Sequence, residues 1–198
     1  MNATLRLLSR LLTGTLMLAA FTTAVPVPAA ADTYQVDPVH TYVLFRVKHL
    51  DIGYSYGRFG GPEGVIEWNE AAPEKSRVEM SVKAGNVDTD NDKRDQHLRS
   101  ADFFNVDQHP VIAFKSTSVK KTGERTFDVS GDLTLLGKTR PVTVSVRQTG
   151  AGQDPWGKYR TGFETTFTVK RSEWGMNFML NGVSDEVVVT VSAEGIRQ

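Results

Sequence analysis

The acidic residues Asp88, Asp90 and Asp92 have a spacing that could bind calcium, because three such carboxylates can converge on one ion. The rest of a calcium-binding loop is missing. The sixth position is Lys93, where the turn needs glycine, and the twelfth is Arg99, where a bidentate glutamate belongs. We therefore interpret the run as the start of a helix and predict no metal site.

The four histidines, His40, His49, His97 and His109, lack the paired spacing with which helical histidines hold zinc. His97 and His109 stand among acidic residues, which leaves a surface metal site as an unsupported alternative. His40 precedes Thr41 at the start of a predicted strand. We therefore expect His40 to hydrogen-bond a loop or the head group of a ligand.

Catalytic motifs are also missing from the sequence. There is no Gly-x-Ser-x-Gly elbow, and neither Ser100 nor Ser172 has an evident base to activate it. The glycines at 57, 60 and 61 precede a predicted strand, whereas a phosphate-binding glycine loop precedes a helix. The sequence therefore predicts no enzyme and no catalytic residues.

Two-residue alternation of apolar side chains predicts the elements that must position any binding site. It recurs in eight segments, 41–48, 64–68, 78–82, 112–116, 127–135, 142–146, 163–169 and 187–191. Short turns between the later segments favour antiparallel neighbours, and closure into a barrel removes exposed strand edges. The predicted fold is all-β, an eight-stranded antiparallel up-and-down barrel, with a short helix over 91–99 capped by Thr89 or Asp90.

The alternation also predicts which side chains face the interior. The expected inward set is Phe45, Ile66, Met80, Phe114, Leu133, Phe163 and Phe167, and the expected outward set is Arg46, Glu67, Lys115, Glu164 and Lys170. Small inward residues should leave room inside the barrel, namely Gly64, Gly131, Ser116 and Thr165. Apolar residues outside the strands are predicted to border an opening, namely Phe103, Phe104, Trp174, Phe178 and Met179.

The N-terminal segment predicts export. Arg6 and Arg10 precede an apolar run from Leu11 to about Ala24, and small residues end at Ala31, as in a secretory signal peptide. Cleavage after Ala31 leaves one domain, 32–198, without a membrane anchor. We expect it in the periplasm, or secreted if the host lacks an outer membrane. The mature domain keeps 21 basic and 23 acidic residues, which argues against nucleic-acid binding.

Four motifs span nearly the whole mature chain and resemble the YceI-like family of lipid-binding proteins. They are Tyr34-x-Val36-Asp37-x-x-His40-Thr41-x-Val43-x-Phe45; Asp95-x-x-Leu98-x-Ser100-x-Asp102-Phe103-Phe104; Gly131-x-Leu133-Thr134-Leu135-x-Gly137; and Arg171-Ser172-x-Trp174-Gly175-Met176. The resemblance implies an extended lipocalin-like barrel with a helix, whose apolar tunnel holds a polyisoprenoid chain. Leu136 departs from the family, which commonly has histidine before that glycine.

The residues expected to contact such a lipid combine the inward strand positions with the apolar loop residues. They are Val43, Phe45, Val47, Ile66, Met80, Val82, Phe103, Phe104, Ile112, Phe114, Val129, Leu133, Phe163, Phe167, Trp174, Phe178 and Met179. Polar roles, for a head group or for structure, are assigned to His40, Thr41 and Asp95. No cofactor is expected other than a bound isoprenoid lipid, and exposed strand surface is compatible with a homodimer.

Two alternatives remain open from the sequence. The first is a cell-envelope enzyme acting on a lipid-like substrate, and the second is a structural or stress-response barrel with a solid core and no ligand. The same alternating side chains would fill the core or line a tunnel, since an eight-stranded barrel lies at the size where either occurs.

Overall fold

The computed structural model describes residues 30–198, so the predicted signal peptide lies almost wholly outside the described residues. The described chain forms eleven strands and one α-helix: β1 (Asp32–Val36), β2 (Tyr42–His49), β3 (Gly53–Phe59), β4 (Glu63–Trp68), β5 (Arg77–Lys83), β6 (Val87–Asp88), α1 (Asp92–Arg99), β7 (Val111–Lys121), β8 (Thr126–Leu135), β9 (Lys138–Gln153), β10 (Tyr159–Lys170) and β11 (Val183–Arg197). None of the helices within 30–198 has the length and apolar character of a membrane-spanning helix.

The strands form a closed antiparallel barrel, which confirms the predicted fold class. Eight strands make the ring in the order β1, β4, β5, β7, β8, β9, β10, β11, and β11 returns to pair with β1. This closing pair is short, and Tyr34 faces Arg197 in it while Val36 faces Gly195. The rest of β11 pairs with β2, from His49 to Tyr42. β1 and β2 therefore act as two halves of one interrupted strand along β11.

Strand β3 continues the sheet beyond β2 and was not predicted from the sequence. Its exposed residues are Tyr54, Tyr56 and Arg58, and the alternate positions include Ser55 and Gly57, which lack the apolar signal of a buried face. Gly57 is required because the Phe45 ring lies over it, and an added Cβ would approach Phe45 Cε1 to 2.7 Å.

Helix α1 and the segment after it cover the barrel beside β3. Phe104 and Leu98 pack against a small core of Phe59, Val82 and Val87, and so join β3 to β5. The helix begins after Asn91, whose side-chain oxygen accepts a hydrogen bond from the Arg94 N–H at 3.0 Å. The predicted caps, Thr89 and Asp90, are therefore wrong by one or two residues, because Thr89 is buried and bonded to Asp95 and Asp90 adopts a positive φ of 62°.

The main packed core lies at the opposite end of the barrel from α1. Trp68 meets Phe127 and Phe163 edge to face, with ring centroids 4.8 and 5.0 Å apart. Tyr34 and Val36 of β1 complete this cluster and are almost fully buried. Tight packing of large aromatic rings closes this end, which we call the closed end.

Candidate functional site

The barrel encloses a cavity of about 610 Å³. Its wall is built from inward side chains of strands on every side, including Val43, Ile66, Phe114, Val144 and Val189. A volume of this size falls within the ~300–1,000 Å³ of typical ligand pockets, and such pockets are mostly apolar. The described barrel is therefore hollow, not filled by its own side chains.

Exposure varies along the cavity wall. Near the closed end, Trp68, Phe163 and Phe127 are more than nine-tenths buried. Farther along, Val187, Val189 and Val191 of β11 are only half-buried although they line the cavity. An inward-facing side chain that is still accessible must lie next to open space. It makes no dispersion contacts on that side.

The open end lies beside α1. Lining residues that are exposed there are His49 at the end of β2, Tyr56 of β3, Arg94 and His97 of α1, and Met179 before β11. Met179 belongs to the cavity wall and is also 47% exposed. A ligand would therefore enter between the β2–β3 turn, α1 and the loop that precedes β11. We call this end the mouth.

The structure places most of the predicted lipid-contact residues on the cavity wall. Fifteen of the seventeen lie there: Val43, Phe45, Val47, Ile66, Met80, Val82, Phe103, Phe104, Ile112, Phe114, Val129, Leu133, Phe163, Phe167 and Met179. The seven larger residues that were predicted to face inward all belong to this wall, whereas the small ones, Gly64, Gly131 and Ser116, do not. Of the predicted outward residues, Lys115 pairs with Glu79 and Glu164 pairs with Arg147, and all four side chains are exposed. Contact of the fifteen wall residues with a lipid stays a prediction.

Trp174 and Phe178 are not among the residues that line the cavity, and the burial of Trp174 corrects its predicted place at the opening. Trp174 is only 1% exposed, and its Nε1–H donates to the Leu133 carbonyl at 3.2 Å, so it anchors the 3₁₀ turn Arg171–Trp174 to β8. Phe178 lies beside the mouth, partly exposed, with its ring 5.3 Å from the rings of both Phe103 and His97.

The expectation that inward glycines create the open space is also wrong. A Cβ at Gly131 would lie 2.5 Å from both the Lys115 carbonyl oxygen and Phe114 Cζ. Gly64 is crowded in the same way by Met80 and by the Glu79 carbonyl on β5. These glycines let a neighbouring side chain or backbone approach closely. The open space instead lies among the valines and phenylalanines of β2, β10 and β11.

A polar network stands at the mouth behind α1. Asp95 is 5% exposed, and its Oδ1 accepts hydrogen bonds from the Thr89 N–H at 2.9 Å and the Thr89 hydroxyl at 2.5 Å. Arg94 donates from Nε to the Thr89 hydroxyl at 2.7 Å and from Nη2 to the Thr89 carbonyl at 2.6 Å. Asp95, one of the predicted polar residues, thus supports Thr89, and Thr89 orients Arg94.

His40 and Thr41, the other predicted polar residues, lie near the closed end and outside the cavity wall. His40 Nδ1 donates to Asp37 at 2.8 Å, while the buried Thr41 hydroxyl bonds the Glu194 backbone. Both residues therefore tie the β1–β2 connection to β11. Their predicted structural role agrees with this geometry, and the head-group role does not.

Arg160 joins several acidic side chains at the same end. Its Nη1 donates to Asp37 at 2.8 Å and to Glu194 at 2.6 Å, and its Nε donates to Asp154 at 2.7 Å. Burial alone would raise the pKa of Asp37, but hydrogen bonds from His40, Arg160 and the Val39 N–H hold that pKa well below its usual range. Hydrogen bonds to these carboxylates raise the pKa of Arg160.

Asp37, His40 and Glu194 are close enough together that they could hold a metal ion. The oxygens of Asp37 and Glu194 that would be ligands already bind the Arg160 guanidinium, which supplies the positive charge. In the acidic run, Asp88 bonds Arg58 and the Asp90 N–H, and these bonds lower the pKa of Asp88. Neither group thus has carboxylates arranged around a vacant cation position.

Sequence reasoning missed several wall residues, among them Val142, Val144 and Val146 of β9, and two further parts of the site. The first is the β11 face, Val187, Val189 and Val191, whose alternation predicted a strand without marking it as ligand wall. The second is Arg94, because a single cation in a polar helix is typical of a solvated surface. The motif Asn91-x-x-Arg94-Asp95 would indicate it only if the contact of Thr89 with both side chains were known.

Comparisons with known proteins agree with the fold and with the sequence motifs. A family model described as a YceI-like domain matches residues 34–195. A UPF0312 protein of Ectopseudomonas mendocina is 44% identical over 172 residues, covering 86% of this chain and 90% of that protein. A UPF0312 protein of Azotobacter vinelandii is 42% identical with the same coverage.

Solved structures resemble the barrel as well. The Campylobacter jejuni YCEI protein matches with a TM-score of 0.70 at 25% identity, covering 76% of this chain and 90% of that one. BcnA of Burkholderia cenocepacia matches with a TM-score of 0.72 at 22% identity, covering 80% and 98%. A polyisoprenoid binding domain from Saccharophagus degradans matches with a TM-score of 0.64 at 16% identity, covering 86% and 100%. The last two likenesses show a shared fold.

Proposed function

Because the chain belongs to the YceI-like family, we propose that the mature protein is a periplasmic carrier or store that binds a long isoprenoid lipid without altering it. The observation that carries this proposal is the apolar cavity of about 610 Å³ with a mouth at one end. An apolar tail in this cavity would cover the half-buried valines of β11. The ligand-free barrel is disfavoured because its core would have to be solid.

The volume sets the scale of the ligand. A cavity of about 610 Å³ holds on the order of 20 methylene-sized groups, if each takes roughly the ~30 Å³ of a water molecule. Each buried methylene contributes about 0.8 kcal/mol, against an association cost of ~4–15 kcal/mol. Short chains of a few carbons would not overcome that cost. The proposed ligand therefore has about four isoprene units inside the barrel, and a longer tail would project through the mouth.

The isoprenoid class rests on the structural neighbour from Saccharophagus degradans, which is described as a polyisoprenoid binding domain. Periplasmic location rests on the signal-like segment 1–31.

Binding without turnover is supported by the polar groups around the cavity. Within residues 30–198, no hydrogen bond joins a serine or threonine hydroxyl to an imidazole ring, as a nucleophile and base would require. His97 instead bonds Asp102, and His40 bonds Asp37 far from the mouth. We therefore assign no catalytic residue.

Extraction of lipid from exported protein tests the proposal directly. The full chain is expressed in a diderm host, recovered from the periplasm, and its extract examined by mass spectrometry. We expect an intact isoprenoid in near-stoichiometric amount, and an N-terminus at Asp32. Recovery of protein without lipid, even after incubation with isoprenoids, would contradict the binding function. Conversion of the added lipid to a new product would favour the enzyme instead.

A further inference from the structure

Arg94 is a cation on the cavity wall with a fixed orientation. Its Nε and Nη2 both bond Thr89, at 2.7 and 2.6 Å, so two separate contacts hold one edge of the planar guanidinium. An exposed arginine normally loses side-chain entropy when a ligand fixes it in one geometry. Arg94 is already held by the protein, so ligand binding should cost little further side-chain entropy at this residue.

The support behind Arg94 is buried and directional. The Thr89 hydroxyl donates its proton to Oδ1 of Asp95, so its oxygen is left to accept from Arg94. Thr89 and Asp95 are 8% and 5% exposed, which shields these bonds from water. Asp95 acts through Thr89, since Arg94 forms no ion pair with a carboxylate in the described chain, residues 30–198.

The other end of the Arg94 guanidinium keeps its donors. Both N–H groups of Nη1 and one of Nη2 make no hydrogen bond to the described protein. Arg171, which also lines the cavity, differs because its donors bond the carbonyls of Ser184, Met176 and Val183. At the mouth, the positive charge of Lys48 is paired with Asp51. Arg94 thus offers a free, oriented fork of N–H groups beside an apolar cavity.

We propose that Arg94 binds an oxyanion head group, a phosphate or a carboxylate, on a lipid whose tail occupies the cavity. This inference rests on the proposed lipid-binding function and specifies the head group. A guanidinium fork matches two oxygens of such an anion, and charge-assisted hydrogen bonds are the strong ones. The tail lies along the apolar wall while the anion stays at the mouth, where water and Arg94 both solvate it.

The test uses three lipids with the same twenty-carbon tail: geranylgeraniol, geranylgeranoic acid and geranylgeranyl phosphate. Dissociation constants are measured by calorimetry on the delipidated mature protein. We expect one or both anions to bind at least about tenfold more tightly than the alcohol, the advantage shrinking as salt rises. Comparison of the two anions distinguishes a phosphate head group from a carboxylate head group.

Matched variants identify the residue responsible. Arg94→Gln should bring the anions to within about twofold of the alcohol, with all three affinities measured on the same variant. Lys93→Gln removes the same charge from the same helix outside the cavity wall, and should keep the preference. Thr89→Val keeps the Arg94 charge but removes its orienting hydroxyl, and should lower the preference in protein whose melting temperature shows that it is folded.

The outcomes separate this inference from the proposed function. Binding of the alcohol with no gain for either anion, or a preference that survives Arg94→Gln, would overturn the role of Arg94 and leave the lipid carrier standing. Failure of all three lipids to bind would overturn the carrier and the anion site together.

Discussion

Replacement of Val191 by phenylalanine distinguishes a hollow barrel from a packed one. Val191 lies on β11 between Val43 of β2 and Thr165 of β10, and all three line the cavity and are half-buried. Phenylalanine brings about four more carbon atoms into the interior. Where the neighbouring space is open, these atoms need no rearrangement, so we expect the free energy of unfolding to change by less than about 0.5 kcal/mol.

The effect on binding should be much larger than the effect on stability. If the added ring displaces about four methylenes of the lipid tail, the binding free energy lost is on the order of 3 kcal/mol. The dissociation constant then rises about a hundredfold. This is an upper value, since a flexible tail can shift toward the mouth. The assays are urea unfolding followed by tryptophan fluorescence, and calorimetry with geranylgeraniol.

Val36→Phe is the matched control at a packed position. Val36 is 3% exposed in the closed-end cluster and is not part of the cavity wall. Overpacking there should cost about 1–3 kcal/mol of stability. If Val191→Phe destabilised the lipid-free protein as much as Val36→Phe, the interior beside β11 would be filled and the cavity argument refuted.

Three further changes follow from the geometry. Gly131→Ala should lower the free energy of unfolding in urea by about 1–3 kcal/mol, because its Cβ meets the Lys115 carbonyl; an unchanged value would refute that crowding. For Asp37, the lowered pKa means that its contribution to stability is present above the ordinary aspartate pKa of about 4 and is lost as pH falls through the folded-state pKa. The melting temperature of Asp37→Asn should thus be lower than wild type near neutral pH and should depend less on pH below about 4, whereas parallel curves would contradict the assignment. Millimolar calcium should leave the melting temperature unchanged, because Asp88 is bonded to Arg58; a rise of several degrees would show a site.

The sequence predicted eight of the eleven strands, all except β1, β3 and β6, because their periodicity is local. Phe127, Val129 and Leu133 of β8 alternate with polar residues, and any half-buried strand must show that pattern. The β1–β11 closure could not be derived this way, since it joins residues about 160 positions apart by three pairs of residues. β3 was missed because its inward serine and glycine give no apolar signal.

The candidate site was less predictable than the fold for a physical reason. Val129 near the closed end and Val191 beside the open space have the same alternating neighbours in sequence, yet one is 6% exposed and the other half-buried. Whether an inward side chain meets another side chain or a cavity depends on barrel geometry, which residue periodicity does not contain. Trp174 shows that an apolar residue in an irregular segment can also be a buried structural anchor instead of a residue that borders the mouth.

The closed end of the barrel contributes to stability, and the mouth contributes to binding. At the closed end, Arg160 links the β1–β2 connection through Asp37 to β11 through Glu194, beside the short β1–β11 pairing that closes the ring. At the mouth, the exposed Arg94 side chain hydrogen-bonds only Thr89 within residues 30–198, and these two bonds orient its guanidinium. Sites this far apart with no shared partner should act additively. Asp37→Asn is therefore expected to lower the melting temperature without changing lipid affinity in the folded protein. Arg94→Gln should weaken anion binding and lower the melting temperature less than Asp37→Asn, because it removes two hydrogen bonds to Thr89 and no ion pair within the described chain. Loss of anion binding in folded Asp37→Asn would show that closure of the barrel, not the Arg94 fork, sets the geometry of the mouth.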